Sequence, residues 1–243
     1  AVSWTPGLDW KADITLDAID PGVLRADFPG RIGGRLSLDG GMTEDGVLNL
    51  DTRIGGLDGE LRGQPLRISG DLQLQGGRLT ARDLSIASGE NRIQVDGEAE
   101  QDIDLRIDIN APNLAGLYPG LSGRLNGTGS VNGTRENPAV TAALDGEDLQ
   151  FEGYQVAGLE LRADWQQQGG IASVRLDDAL LAGQALTTLR LDLDGKPDAH
   201  RLSLELDGAE LAASLAAQGG LQANRWNGNL KRLRLAQDAV GEW

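Results

Sequence analysis

Apolar and polar residues alternate along much of this chain. In "QDIDLRIDIN" (101–110), Ile103, Leu105, Ile107 and Ile109 are separated by charged or amide side chains. Because successive side chains of a β-strand point to opposite faces, this spacing predicts a strand with one apolar and one solvated face. The pattern raises the question of what covers the apolar face.

The same alternation recurs along the chain in stretches of about 5–9 residues. Most of these stretches end in Gly, Asp-Gly or Asn-Gly, which are typical of tight hairpin turns. Since parallel strands need long crossovers, the short turns predict about 15–18 antiparallel strands in meander order. Besides the four residues above, we assign these positions to the apolar face: Ile14, Leu16, Leu72, Leu74, Ile93, Val95, Leu159, Leu161, Leu189, Leu191, Leu193, Leu202, Leu204 and Leu206.

Helical signals are confined to two short stretches. Asp20 is a candidate N-cap before Pro21 at the first helical position, and Asn113 is a candidate cap for a single turn closed by Pro119. A third stretch, 211–217, is ambiguous, because its alanines favour a helix while its Leu and Ala residues alternate as in a strand. We interpret it as a strand.

An internal repeat accompanies the two helical signals. "FPGRIGGRL" (28–36) and "YPGLSGRL" (118–125) each follow one of them, about 90 positions apart. Segments that recur in the same order are typical of repetitive architectures. We therefore expect one continuous β segment over 1–243, part of a longer protein, with approximate repeats at 10–110 and 111–235.

The composition favours an open groove over a closed core. Hydrophobic residues make up 40% of the chain, but aromatic residues only 4%, which is little for the core of a β-sandwich. The stretches are also shorter than the roughly 9–11 residues of a membrane-barrel strand. We predict an all-β fold, an elongated curved antiparallel sheet forming a hydrophobic groove, with one or two short helices. Such an apolar surface exceeds what a soluble monomer leaves uncovered, so we expect it to hold an apolar ligand.

Charge and residue usage argue against several function classes. The net charge of −15 disfavours nucleic acid, and no apolar run is long enough for a membrane span. With no Cys and one His, His200, a conventional zinc site is unsupported, and we interpret His200 as structural or solvated rather than catalytic. Carboxylate pairs such as Asp102 with Asp104 occur on nearly every strand, so they indicate solvation rather than catalysis. The "NGT" triplets at 126–128 and 132–134 are interpreted as hairpin turns. We expect no enzyme activity, cofactor or metal.

The five tryptophans leave two interpretations open. Trp4, Trp10, Trp165, Trp226 and Trp243 lie mostly near the ends of the chain or the possible repeat joints. They either fill gaps or cap a layer of strands, or they narrow the groove.

Several stretches resemble one family of Gram-negative bacteria. Residues 113–161, residues 10–41 and the closing "WNGNLKRLRL" followed by "GEW" are similar to the repeating unit of the TamB proteins, within the AsmA-like family and the bridge-like lipid transfer superfamily. The resemblance implies a β-taco, which is an elongated curved sheet with an apolar groove. It also implies a periplasmic segment of an inner-membrane-anchored protein that works with a TamA-like outer-membrane barrel protein.

Three functions follow as hypotheses. The first is a conduit that carries phospholipid acyl chains toward the outer membrane. The second is a chaperone-like scaffold that pairs with strands of outer-membrane proteins and autotransporters by β-augmentation. The third is a structural spacer with a dry, closed core.

Overall fold

The chain is all-β in the computed structural model. Its only helical pieces among the described residues are two single 3-10 turns, Pro21–Val23 and Leu114–Gly116. Every strand pairing that the structure defines within a unit is antiparallel. The predicted fold class, a curved antiparallel sheet forming a groove, is confirmed. The structure describes residues 2–5, 7–222, 225–237 and 241–242.

The chain divides into two compact units. Unit 1 comprises residues 1–111 and 132–135, and unit 2 comprises residues 112–131 and 136–243. The interpretation of 1–243 as one segment with repeats at 10–110 and 111–235 stays a prediction.

Unit 1 is a meander in which each strand pairs with the next one along the chain from β1 to β8. The strand that follows, β9 (Ser122–Thr134), contributes residues to both units. The strands of unit 1 are β1 (Val2–Thr5), β2 (Gly7–Ile19), β3 (Gly30–Met42), β4 (Leu48–Leu61), β5 (Gln64–Gln75), β6 (Arg78–Ser88), β7 (Asn91–Ala99) and β8 (Asp102–Ala111).

Unit 2 is a second meander, from β10 to β17. The ambiguous alanine-rich stretch is a strand, β15, as predicted. The strands are β10 (Pro138–Phe151), β11 (Tyr154–Gln166), β12 (Gly169–Leu181), β13 (Gln184–Lys196), β14 (Ala199–Gly208), β15 (Leu211–Gln222), β16 (Arg225–Gln237) and β17 (Gly241–Glu242).

The strands are longer than the sequence pattern suggests. The strands from β2 to β16 run from 9 residues in β7 to 14 in β4, so the prediction of about 5–9 residues was wrong. The reason is that many glycines assigned to turns lie inside strands. Gly97 lies within β7 with φ of +126°, where a Cβ atom would collide with the Asp104 carbonyl oxygen of β8. Both "NGT" triplets likewise lie within β9, not in hairpin turns.

A line of β-bulges crosses unit 1, and we call it the crease. Register shifts fall between Leu16 and Ile19 in β2, between Ile54 and Leu57 in β4, and between Ala81 and Leu84 in β6. A bulge bends its strand and increases the local twist. Because these bulges lie at one level of neighbouring strands, they bend the sheet along a common line. Residues with positive φ at this level are Ala18, Gly34, Gly56, Gly70, Asp83 and Gly97.

Unit 2 has a crease of the same kind. Asp148 in β10 and Asp178 in β12 have φ of +51° and +45°, and the register shifts between Leu186 and Thr188 in β13. Asp tolerates the left-handed region better than most non-glycine residues, because its short side chain bonds locally. Each unit therefore bends along a crease that the strict alternation did not predict.

The two 3-10 turns lie where the helical signals predicted them, but only the first has the predicted side-chain cap. Asp20 is the N-cap of the first turn and Pro21 its first residue, and the Gly22 amide donates to Asp20 Oδ1 at 2.8 Å. Asn113 occupies the N-cap position of the second turn, but its side chain makes no capping bond. Both elements are single turns, since three residues are too few for an α-helix.

Neither unit has a conventional core. No side chain among the described residues is both large and fully buried, and seven hydrophobic residues are classed as buried. The chain exposes 15423 Å². A compact monomer of 25.7 kDa would expose roughly 10,400 Å². The surplus is what a sheet leaves accessible when its apolar face is not covered by a second layer.

Candidate hydrophobic groove

The strand register gathers the predicted apolar residues of unit 1 on one face. Residues paired across neighbouring antiparallel strands point to the same face, and we call each row of such residues a rung. Four adjacent rungs hold all ten predicted residues of this unit. From β8 to β2 they are Ile103–Ala99–Leu79–Leu74–Leu50–Gly40–Trp10; Leu105–Gly97–Ala81–Leu72–Thr52–Leu38–Ala12; Ile107–Val95–Leu84, continued beyond the bulge by Gly70–Ile54–Leu36–Ile14; and Ile109–Ile93–Ile86–Ile68–Leu57–Gly34–Leu16.

Unit 2 repeats this arrangement over seven strands. Three adjacent rungs hold all eight of its predicted residues. From β10 to β16 they are Ala142–Ala163–Ala172–Leu193–Leu202–Ala217–Leu230; Leu144–Leu161–Val174–Leu191–Leu204–Leu215–Leu233; and Gly146–Leu159–Leu176–Leu189–Leu206–Ala213–Leu235.

These side chains are neither buried nor fully open. Of the eighteen predicted residues, Ile14 and Ile107 are exposed, at 36% and 39%, and the other sixteen are half-buried. Side chains in a dry, closed core would be mostly buried. The observed exposure is that of an apolar face shielded only in part by its own neighbours.

Some side chains just beyond each crease are strongly shielded. In unit 2 the rung just beyond the crease includes Ala179 and Leu186, which are only 4% and 5% exposed. In unit 1, Leu66 at the same level is 7% exposed. Ile19 and Tyr154, which also lie beyond the creases, are each 50% exposed, so the shielding is local to part of each sheet.

The crease explains which groove residues the alternation missed. Ile54 and Leu57 are three positions apart, so a regular strand would put them on opposite faces. The bulge at Gly55 and Gly56 returns Leu57 to the apolar face. In unit 2 the same three-residue step separates Leu176 from Ala179. Apolar residues three apart across a Gly or Asp would have been the signal for the crease.

The opposite face is charged, as predicted. Asp102 and Asp104 are exposed. Ion pairs along this face include Arg175 with Asp177 at 3.0 Å and Arg190 with Asp192 at 2.7 Å. The hydrogen bonds from these arginines to their carboxylates raise the arginine pKa values further above their already high range. Exposed pairs contribute little stability each, so this face mainly provides solubility.

A hollow on the polar face of unit 1 does not match an apolar ligand. It measures about 280 Å³, and its lining includes Lys11, Asp39, Asp51, Arg53 and Asp71. The charges are mixed, and ion pairs such as Lys11 with Asp39 at 2.5 Å already neutralise part of them. The candidate site is therefore the apolar face and not this hollow.

Three aromatic rings lie together at one border of the apolar face in unit 2. The ring centroids of Trp165 and His200 are 6.3 Å apart, and those of His200 and Trp226 are 6.4 Å apart. Trp226 Nε1 donates to His200 Nε2 at 2.9 Å. His200 Nδ1 lies 3.2 Å from the carbonyl oxygens of Lys196 and Pro197. His200 therefore orients a neighbouring ring, which agrees with its structural interpretation.

Of the other three tryptophans, Trp10 is the one whose side chain lies in the described part of the structure. Trp10 is half-buried and lies over Gly40, in the outermost of the four rungs of unit 1. The backbone of Trp4 pairs with Leu8, but its side chain lies outside the described part of the structure. Trp243 lies outside the described residues.

Within the described ranges, no helix is long and apolar enough to cross a membrane. The same residues contain no group of three or more His, Cys, Asp or Glu side chains placed to hold a metal ion.

Comparison with known proteins decides the family. The family described as "TamB, N-terminal domain" matches residues 1–243. The chain belongs to this family. It is 27% identical over 239 residues to the Translocation and assembly module subunit TamB of Haemophilus influenzae, and the match covers 96% of this chain but 18% of that relative. The chain thus spans less than a fifth of the length of this member. No solved structure matches it.

Proposed function

We propose that this chain is a periplasmic part of an inner-membrane-anchored protein and that its apolar face carries phospholipid acyl chains toward the outer membrane. One observation carries this proposal: apolar rungs continue across seven neighbouring strands in each unit while their side chains stay partly accessible. Ile107, at 39% exposure, is an example. An extended apolar chain laid on such rungs would remove both surfaces from water.

The energetics suit a mobile ligand. Each buried methylene contributes about 0.8 kcal/mol, so partial immersion of an acyl chain is enough to hold it. The rungs supply leucine, isoleucine and valine at a regular spacing. Neighbouring positions along the groove are therefore close in energy, which permits a chain to slide from one to the next.

A pair of substitutions tests the proposal. Leu105→Asp and Leu204→Asp place a charge in a central rung of each unit, so we expect lipid binding by the purified protein to fall at least about tenfold, the loss of roughly two methylene contacts. Native mass spectrometry and uptake of a fluorescent phospholipid measure the binding. Both leucines are half-buried, and circular dichroism checks that the sheet is retained.

The matched control puts the same charge on the other face. Arg106 and Ser203 are the immediate neighbours of the two leucines and point to the polar face. Arg106→Asp with Ser203→Asp should leave lipid binding unchanged. Equal binding by the leucine and control variants, or a wild-type protein that never takes up lipid, would refute the proposal.

A second candidate is a scaffold for outer-membrane protein and autotransporter assembly with a TamA-like barrel protein. The relative's name, Translocation and assembly module subunit, favours it. An amphipathic strand would lay its apolar side chains on the rungs and pair by β-augmentation with a strand edge. Site-specific crosslinking from Leu105 and Leu204 separates the two, since adducts would be phospholipids in one case and nascent barrel strands in the other.

A further inference from the structure

The indole ring of Trp226 lies against the border of the apolar face in unit 2. His200 is on this face, two residues beyond Leu202 in β14, and Trp226 is on the same face of β16. The ring lies over Gly219 and Gly228, where a Cβ atom at either position would collide with it. These two glycines therefore make room for the indole on the sheet.

One hydrogen bond ties this ring to His200. Trp226 Nε1 donates to His200 Nε2 at 2.9 Å. Because an indole N–H can only donate, Nε2 must be the acceptor, and the neutral imidazole carries its proton on Nδ1. Nδ1 lies 3.2 Å from the carbonyl oxygens of Lys196 and Pro197, which accept its hydrogen bond. The backbone thus selects the tautomer that Trp226 requires.

Protonation of His200 is incompatible with the bond to Trp226. An imidazolium carries a proton on both nitrogens and has no acceptor, so the Nε2–H would face the indole N–H, donor against donor. The Nδ1–H keeps its two carbonyl partners, which hold the imidazole in place. Trp226 is 46% exposed, so its ring has room to turn into solvent. The indole is therefore the group that moves.

His200 is the group in this neighbourhood that titrates near neutral pH. It is the one histidine of the chain, and histidine is the side chain whose charge ordinarily changes between about pH 5 and 8. Lysine, arginine and aspartate ordinarily change charge outside this range. β15 carries no charged residue. The charged residues of the other surrounding strands and turns either point to the polar face or lie in a turn, and they are Asp164, Asp194, Lys196, Asp198, Arg201 and Arg225.

We propose that His200 is a positioning residue whose protonation releases the Trp226 indole from the apolar face. With a neutral His200, the ring is held over Gly219 and Gly228. With a protonated His200, the ring leaves these glycines and the border of the apolar face opens there. The proposal concerns the protein's own groups and does not depend on the proposed lipid function.

Nuclear magnetic resonance of the full chain tests this step. Histidine-selective labelling with ¹⁵N gives a single imidazole, which reports its tautomer and its protonation between about pH 8 and 5. Over this range the indole N–H signal of Trp226, assigned with Trp226→Phe, should move to the position of a solvent-exposed indole with the same midpoint as the imidazole. The amide signals of Gly219 and Gly228 should shift with that midpoint, because they lose the ring current of the indole.

Trp165 is the internal reference. Its ring centroid is 6.3 Å from that of His200, against 6.4 Å for Trp226, but among the described contacts it makes no hydrogen bond to the imidazole. Its indole signal should therefore move far less than that of Trp226.

Two variants hold the indole in each of its states. His200→Gln keeps a side-chain carbonyl that accepts from Trp226 and does not titrate, so the Trp226 and glycine signals should stay at the bound position throughout. His200→Phe keeps a ring without an acceptor, so the same signals should stay at the released position.

Three results would overturn the proposal. They are wild-type Trp226 and glycine signals that stay unchanged while the imidazole becomes protonated, a neutral imidazole with its proton on Nε2, and an equal pH-dependent shift in His200→Gln. The wild-type titration decides the matter by itself, so the test does not depend on either variant folding.

Discussion

At the scale of single residues, glycine and aspartate decide where this sheet bends and how closely its strands approach. Gly97 combines a positive φ with a backbone contact that excludes a Cβ atom. Asp83, on the neighbouring strand, adopts φ of +49° without being glycine, and its amide donates to Asp96 Oδ2 at 3.0 Å. The crease is therefore maintained by local bonds as well as by missing side chains.

Gly97→Ala should destabilise unit 1 by about 1–3 kcal/mol, because alanine is strained at this φ and its methyl group would collide with β8. Gly55→Ala is the matched control, since its nearest neighbour to an added Cβ is 3.6 Å away. Urea denaturation of both variants measures the difference. Equal midpoints would show that the close approach at Gly97 is not required.

Lys11, on the polar face, makes a pH-dependent contribution to the stability of the folded state. Its hydrogen bond to Asp39 raises the lysine pKa above the ordinary value of 10.5. A raised pKa means that the folded state holds this proton more tightly than the unfolded chain. The pair therefore adds its full, small stabilisation at neutral pH and loses it only as the pH rises above that value.

Comparing the thermal stability of the wild type with that of Lys11→Met tests whether this stabilisation is lost as the pH rises. The difference in melting temperature between the two proteins should be constant from neutral to mildly alkaline pH and should shrink at still higher pH. A difference that grows with alkalinity would contradict it.

At the scale of the element, several strands are alternating ladders interrupted once by a bulge, and the interruption keeps both halves of the strand on one face. In β4, Ile54 and Leu57 share the apolar face only because of the residues between them. A one-residue insertion or deletion in a regular stretch therefore acts on every residue beyond it, unlike a substitution, which acts on one side chain.

Inserting one glycine between Leu50 and Asp51, in the regular part of β4, should be severely destabilising, by more than about 4 kcal/mol, because it turns the residues on one side of the insertion to the wrong face. Inserting one glycine between Glu44 and Asp45, in the loop that joins β3 and β4, is the control and should cost far less. Thermal unfolding followed by circular dichroism compares the two. A tolerated insertion within β4 would mean that the alternation does not set the register.

At the scale of the whole molecule, the two units share one construction: a meander, a crease and a partly accessible apolar face with tryptophan at the border away from the crease. The exposed apolar surface makes a solution property testable. The folded, lipid-free protein should bind an environment-sensitive apolar dye such as ANS, and added phospholipid should displace it, because both would occupy the same rungs.

The dye experiment has an internal control. The variant with Leu105→Asp and Leu204→Asp should bind less dye than the variant with Arg106→Asp and Ser203→Asp. The comparison requires that both variants show the same β-sheet spectrum by circular dichroism. A native protein that binds no dye would indicate that its apolar faces are already covered.

The sequence by itself determined the fold class, the strand order and the face on which each residue of a regular stretch lies. Residues 103–109 alternate without interruption, and the structure places them as expected. Local chemistry was also enough for the first 3-10 turn, whose Asp20 cap and Pro21 act within a few residues.

Only the tertiary structure decided the strand lengths, the crease and the cluster of aromatic rings in unit 2. Gly97 has the same local sequence signature as a turn glycine, and its position inside β7 follows from the approach of β8. Trp165, His200 and Trp226 are far apart in sequence, and pairing through successive strands brings their rings together. These features depend on register, which is a relation between strands, whereas alternation is a property of each strand alone.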